Sequence, residues 1–189
     1  KLSENDLEML HYAGMLHDIG KIGISDTVLN KVGKLTEEEF KLIQMHTEIG
    51  DRVVRPVTFL RGVAQVIRHH HERYDGRGYP DRIKGEEIPL GARIMAVADA
   101  FDAMTYDRVY RAGMSKEEAV AELIRGKGTQ FDPAIVDVFV SRVLPRMYDL
   151  TQDPSVQRHE KRHEIRGDQV WRYLSEPGGK PEASEAAAA

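Results

Sequence analysis

Apolar residues recur three and four apart along most of the first 150 positions, the spacing of helices that bury one face. A Ser3 and Asp6 pair reads as a helix N-cap box, and Leu7, Leu10, Gly14 and His17 then follow the helical spacing. Gly20 is the expected stop, with Gly23 extending the turn, and residues 22–35 read as irregular connection. Thr36 and Glu39 form a second capping box. The helix they open places Leu42, His46, Ile49 and Val53 on one face, with the small Gly50 beside it and Pro56 at the end. From about Leu60 a third helix carries two apolar stripes, one of Val63, Val66 and His70, the other of Ala64, Ile67 and His71. A turn-rich stretch over 75–85 follows, with Tyr79 as its one large aromatic residue. Pro89 opens the next helix at a first-turn position. Ile94, Val97, Phe101 and Met104 form its core stripe, and Met95, Asp99, Asp102 and Tyr106 a second stripe with two carboxylates. Ser115 and Glu118 cap a further helix, with Ala119 and Leu123 inward and Gly126-Lys127-Gly128 as its stop. Asp132 and Pro133 read as an N-cap and a first-turn proline; Ile135, Phe139, Val140 and Val143 complete the core, and Pro145 ends that element. No alternating strand pattern competes, so the expected fold class is all-α, a helical bundle over residues 1–150.

Beyond 150 the pattern is lost. Residues 157–166 are mostly charged, a short helix is one reading of the stretch up to Trp171 and Leu174, and the Pro177-Gly178-Gly179-Lys180-Pro181 run with the Ala-rich end reads as disorder. The segment 151–189 is therefore set apart as a charged extension. His159 and His163 have a zinc-binding spacing, but their lysine, arginine and glutamate neighbours describe a solvated face.

Composition narrows the function classes. The 189 residues are 41% apolar and 31% charged, with a net charge of −4, so nothing favours a DNA or RNA polymer or a membrane surface as partner. There are no cysteines, which removes disulfides, thiolate metal sites and cysteine nucleophiles. No run of about 18 apolar residues exists to span a bilayer. The start, Lys1-Leu2-Ser3-Glu4, has neither a signal-peptide apolar core nor a methionine, and reads as part of a longer, cytoplasmic protein.

Candidate chemistry gathers on the inward stripes. His69-His70-His71 runs into a turn with Gly76, Gly78 and Pro80, and His17-Asp18-Ile19-Gly20-Lys21 supplies a matching half; together they read as a metal-dependent phosphodiester-cleaving site. Adjacent histidines on a helix point about 100° apart, so His70 and His71, which continue apolar stripes, are chosen and His69 is set aside. Burying an aspartate costs several kcal/mol unless it is paired or bound to a cation, and both Asp18 and Asp99 sit among apolar residues. One such polar residue is more often a hydrogen-bonded core group than a ligand. Six of them, His17, Asp18, His46, His70, His71 and Asp99, from four predicted helices, favour shared cations. Nitrogen and oxygen donors suit iron, manganese, nickel, cobalt or zinc without choosing among them. Two ions about 3.5–4 Å apart, bridged by a carboxylate such as Asp18, activate water and clamp the oxygens of a phosphoryl displacement. Lys21 reaches either a bound phosphate or the attacking hydroxide, or else sits on the dipole of the preceding helix, two readings of equal weight. Arg108 and Arg111, flanking Tyr110, form a candidate phosphate clamp.

Three separated motifs carry a resemblance. His17-Asp18-Ile19-Gly20-Lys21, the string His70-His71-Glu72-Arg73-Tyr74-Asp75-Gly76-Arg77-Gly78-Tyr79-Pro80, and Val97-Ala98-Asp99-Ala100-Phe101-Asp102-Ala103-Met104-Thr105 with Arg108, Tyr110 and Arg111 resemble, in order, the HD-GYP family of HD-domain metal-dependent phosphohydrolases. The resemblance implies an HD-type bundle holding two or three divalent metal ions, often iron. It implies hydrolysis of the bacterial second messenger cyclic di-GMP to linear pGpG and, in some members, on to GMP. It implies metal ligation by His17, Asp18, His46, His70, His71 and Asp99, with Asp18 bridging. Lys21 would lie near the substrate phosphate, Tyr79 would contact the ligand, Arg108 and Arg111 would hold phosphates or guanine bases, and Asp102 would support the site. Gly76, Gly78 and Pro80 would shape the loop, and Glu72 and Arg73 would form an ion pair there. Val109 stands where the family usually has proline. The family's N-terminal helix, with a further histidine and, in trinuclear members, a glutamate, is expected to lie before residue 1. A sensor or receiver domain is expected upstream, and a homodimer is compatible with the resemblance. Two other readings stand beside this one: a non-catalytic module that binds cyclic di-GMP or a partner protein, and an HD-type hydrolase for another nucleotide.

Overall fold

Local signals start most of the helices where they occur in the sequence. The computed structural model describes residues 2–106 and 113–151, and the side chains within these spans except those of 148–151. Helix α1 spans Glu4–Leu16; the Ser3 hydroxyl accepts from Asp6 N and the Asp6 carboxylate accepts from Ser3 N at 2.8 Å. It ends one turn before Gly20, with His17 as its C-cap. A 3-10 turn over Ile19–Gly23 and a short α2, Asp26–Leu29, follow, so the stretch expected to be irregular is partly helical.

The single helix expected after Thr36 is two. Helix α3, Glu37–Gln44, opens with the Thr36–Glu39 box, and α4, His46–Val54, begins past a break at Met45. The side chains of the new helix take over the carbonyls the break leaves free. His46 Nδ1 donates to Ile43 O at 2.7 Å, and the Thr47 hydroxyl donates to Gln44 O at 3.0 Å. The break also re-aims the buried face. Leu42 and Val53 are exposed, while His46, Thr47, Gly50, Asp51 and Val54 are buried.

Helix α5, Arg61–His69, buries both of its expected stripes, Val63 with Val66 and Ala64 with Ile67. These four pack with Ala13 of α1, Val54 of α4 and Ile88, and with Ala92 and Met95 of α6, Leu90–Thr105. Removing a fully buried side chain such as Ile67 from that cluster costs about 2–5 kcal/mol. Pro89 is the N-cap of α6, one residue before the expected first-turn position. Of the expected α6 core stripe, Val97 and Phe101 are buried.

Helix α7, Lys116–Arg125, buries Ala119 and Leu123, and α8, Pro133–Val138, is capped by the Asp132 carboxylate, which accepts from Ala134 N at 2.9 Å. On α8 the buried residue is Val136 rather than the neighbouring Ile135. A π-helical turn, Phe139–Val143, follows. Pro145 does not stop the helical path. It falls in α9, Leu144–Thr151, directly after the π-helical turn. By internal contacts the chain divides into Lys1–Val143 and Leu144–Ala189. Among the described residues no strand forms, apart from one isolated bridge between Lys127 and Phe131. No helix among them is long and apolar enough to cross a membrane. The expected features of 152–189, including His159 and His163, lie outside the described residues.

Candidate metal centre

Three imidazoles converge in the first unit. His46 is the first residue of α4, His70 caps α5, and His71 lies in the turn just past it. Because α5 closes at His69, the turn rather than helical geometry aims His71, and the His70 and His71 rings stand 4.0 Å apart. One ring nitrogen each from His46, His70 and His71 lies within 4.8 Å of the others.

The backbone fixes which nitrogen faces inward. Nδ1 of His17, His46 and His70 lies 2.8, 2.7 and 2.7 Å from the carbonyls of Gly14, Ile43 and Ile67. A carbonyl can only accept, so each Nδ1 carries the proton and each Nε2 presents a lone pair. Nε2 of His46 and of His70 is buried with no hydrogen-bond partner. An unpartnered buried polar atom costs about 1–3 kcal/mol, and proteins rarely leave one. Two such lone pairs in one cluster of neutral imidazoles are what a cation would satisfy, so the residues fit a metal ion.

Asp18 joins the halves. Its Oδ1 is 3.6 Å from His46 Nε2, its Oδ2 is 3.6 Å from His17 Nε2, and Lys21 donates to Oδ2 at 2.5 Å. Asp99 Oδ1, from α6, stands 3.8 Å from His17 Nε2. A close backbone approach brings Asp18 there. A Cβ on Gly20 would sit 1.9 Å from His46 O and 2.5 Å from Gly50 N, so only glycine lets the 3-10 turn lie against the start of α4. Lys21 lies within that turn, five residues past the end of α1, so it faces Asp18 and not the α1 dipole.

Burial sets the protonation states. It pushes His70 down to about 3, with His71 adding to the effect, and His71 down to about 4, with His46 adding to the effect. His46 is lowered by the same desolvation. Burial opposes ionisation of Asp18, but Lys21, His17 and His46 outweigh it and hold the carboxyl below its usual value. All four are therefore in their ligating forms near neutral pH.

Tyr79 packs over the cluster, its ring 5.0 Å from that of His71 and 6.4 Å from that of Phe40. Burial, then Asp99 and Asp18, pushes its hydroxyl well above the ordinary range, so it stays a neutral phenol. Its outer side lines a cavity of about 150 Å³ with Lys41, Gln44 and Arg82. Asp102 is exposed one turn beyond Asp99, and the ion pairs among His17, Asp18, His46 and Asp99 do not include it. Arg108 and Arg111 lie outside the described residues.

One expected pairing is absent. Glu72 does not pair with Arg73: it is buried, and its Oε1 accepts from Asp81 N at 2.7 Å and Arg82 N at 2.8 Å. Arg73 points to Asp75, 2.8 Å away, and to Gln130. His69 is not among the clustered nitrogens; its Nε2 is 2.9 Å from Asp81. Nothing local in the sequence announces Asp81, which sits twelve residues after His69 in a loop.

The family model described as HD domain matches residues 1–135. The chain belongs to the HD domain family. Within it the motifs are of the HD-GYP type. A cyclic di-GMP phosphodiesterase of Vibrio cholerae serotype O1 is 42% identical over 142 residues, 71% of this chain and 29% of that protein. The cyclic di-GMP phosphodiesterase response regulator RpfG of Xanthomonas campestris pv. campestris is 45% identical over 141 residues, 74% of this chain and 37% of that protein. The chain thus spans about a third of the length of these relatives. A crystal structure of a cyclic GMP-AMP specific phosphodiesterase of V. cholerae, V-cGAP3, aligns at a TM-score of 0.62 with 27% identity, covering 84% of this chain and 44% of that one. The all-α HD fold follows. HD-domain phosphohydrolases are metal-dependent, in keeping with the histidine cluster.

Proposed function

We propose that this domain hydrolyses cyclic di-GMP to pGpG, and in a second step to GMP, with two or three divalent ions held by His17, Asp18, His46, His70, His71 and Asp99. Iron comes first among the ions, with manganese, nickel, cobalt and zinc as alternatives of the same ligand chemistry. What carries the reading is the pair of buried, unpartnered Nε2 atoms of His46 and His70 beside the Asp18 carboxylate. Bound divalent ions supply an activated water and the charge that steadies a phosphodiester under attack. The protein's own groups do the rest. Asp18 spans the His17 and His46 halves. Lys21 holds an ammonium at the edge of the centre, where it can turn from Asp18 to a phosphate oxygen. Tyr79 offers a neutral ring and hydroxyl to a base or ribose. Arg108 and Arg111 are assigned to the phosphates or guanines, and Asp102 to support of the site. The names of the relatives favour a cyclic dinucleotide and, for one, a response regulator, which supports a cytoplasmic signalling protein with a receiver or sensor domain upstream.

The test is turnover by the full chain loaded with ferrous or manganous ion, assayed on cyclic di-GMP and on 3'3'-cyclic GMP-AMP. Linear pGpG is expected from the first, and none from Asp18→Ala. Hydrolysis at an unchanged rate in Asp18→Ala would end this reading. Binding without turnover would point to a non-catalytic module, and preference for the mixed dinucleotide would reassign the substrate.

A further inference from the structure

Two histidines of the run face the metal centre, and the third has a different set of partners. His69 is buried, with Nδ1 2.9 Å from Gln65 O and Nε2 2.9 Å from Asp81 Oδ2. Arg68, beside it, grips the same carboxylate with both arms of its fork, Nε to Oδ2 and Nη2 to Oδ1, each at 2.7 Å. The backbone of the same spot is held separately. Glu72 Oε1 accepts from the amides of Asp81 and Arg82. Arg68 also reaches α4, with Nη1 3.8 Å from Asp51 and 4.0 Å from Glu48. The bonds from Arg68, His69 and Glu72 to Asp81 and Arg82 converge on a two-residue segment of loop, and Tyr79 lies two residues before it. Tyr79 itself has one backbone tie to α5's exit, from its N to His71 O at 3.3 Å.

A bidentate arginine fork fixes direction as well as distance, which a point charge does not. The Arg68–Asp81 pair at the centre of this network is partly exposed, at 23% and 36%, and contributes on the order of 1 kcal/mol to stability. The network is well explained as a means of orientation. It couples the end of α5, which carries His70 and His71, to the loop that lays Tyr79 against His71.

We propose that Arg68, His69, Glu72 and Asp81 form a clamp that fixes the Tyr79 loop over the metal centre, with His69 a positioning residue and not a metal ligand. The activity part of this inference rests on the function proposed above; the structural part does not. The clamp acts through Tyr79, so its removal should matter only while Tyr79 is present.

The experiment compares Asp81→Ala, Tyr79→Ala and the double variant in the full metal-loaded chain. Bound metal per chain should stay at the unsubstituted value in Asp81→Ala. Amide hydrogen exchange should accelerate over residues 78–84 and stay unchanged over 61–69. The kcat/KM for cyclic di-GMP should fall about tenfold to a hundredfold in Asp81→Ala, the range for residues that orient groups at a metal site. In the double variant the loss should exceed that of Tyr79→Ala by no more than about twofold, because residues acting as one unit are not additive. Glu72→Gln keeps an acceptor for the two amides and should exchange like the unsubstituted protein, whereas Glu72→Ala should not. Should Asp81→Ala fail to fold, Arg68→Lys keeps the charge and loses the fork, and should show the same exchange pattern in weaker form. Unchanged exchange over 78–84, additive losses in the double variant, or loss of bound metal in Asp81→Ala would each overturn the clamp. An unsubstituted protein inert towards cyclic di-GMP would sink the function proposed above, and the exchange data would still decide the clamp.

Discussion

Helix α6 serves two regions that contrast in what they gather. Asp99 stands beside the metal centre, while Ile94, Val97 and Ala98 line a cavity of about 520 Å³ with Ala134, Ile135 and Phe139. The apolar cavity brings no convergent polar groups together. The centre holds buried imidazole lone pairs, a carboxylate shared between two histidines, and a lysine. Apolar lining is satisfied by contact alone, whereas an orphaned buried nitrogen needs a partner. Volume therefore says little here about where chemistry happens, and unmet hydrogen-bonding capacity says a great deal.

Substitutions on the two sides should separate sharply. Asp18→Ala removes the group shared by His17 and His46, and turnover of cyclic di-GMP should fall by more than about a hundredfold, with loss of bound metal by elemental analysis. Chelation should cost stability without unfolding the bundle. Ions present at a hundred times their Kd contribute about 2.7 kcal/mol, so the melting temperature should drop on chelation and recover on reloading. A melting curve indifferent to chelator would erase the contrast between the regions. Gly20→Ala forces a Cβ into the backbone of His46 and should cost about 1–3 kcal/mol in denaturant unfolding, along with weaker metal retention. Ile94→Ala, on the apolar side, should cost about 1 kcal/mol and leave kcat and metal content unchanged. A large activity loss in Ile94→Ala would mean that the apolar cavity takes part in the chemistry.

What could be read from the sequence divides along similar lines. Caps are local, so Ser3, Thr36, Ser115 and the Asp132-Pro133 pair mark their helices correctly. The α5 stripes are legible because all four of their apolar residues face one core. The break at Met45 is not, since nothing at that position forbids a helix; it forms because His46 and Thr47 turn back onto the carbonyls of the preceding turn. The break also reverses the expected exposure of Leu42 and Val53. Glu72 and Arg73 are neighbours with opposite charges, and pairing them is natural until the loop amides of Asp81 and Arg82 are brought against Glu72. His69 is not among the clustered nitrogens, and its bond to Asp81 depends on a contact across the loop that no spacing rule reveals. Pro145 misleads for a different reason: the π-helical turn just before it already departs from the α-helical bonding pattern that a proline would break.

The most direct measurement is anomalous X-ray scattering from crystals of the metal-loaded chain, recorded at the absorption edge of the added ion. Density is expected within about 2.0–2.2 Å of Nε2 of His46 and His70, with the Asp18 carboxylate in the same coordination shell. Crystals with full metal occupancy elsewhere and no peak among these three residues would contradict the account.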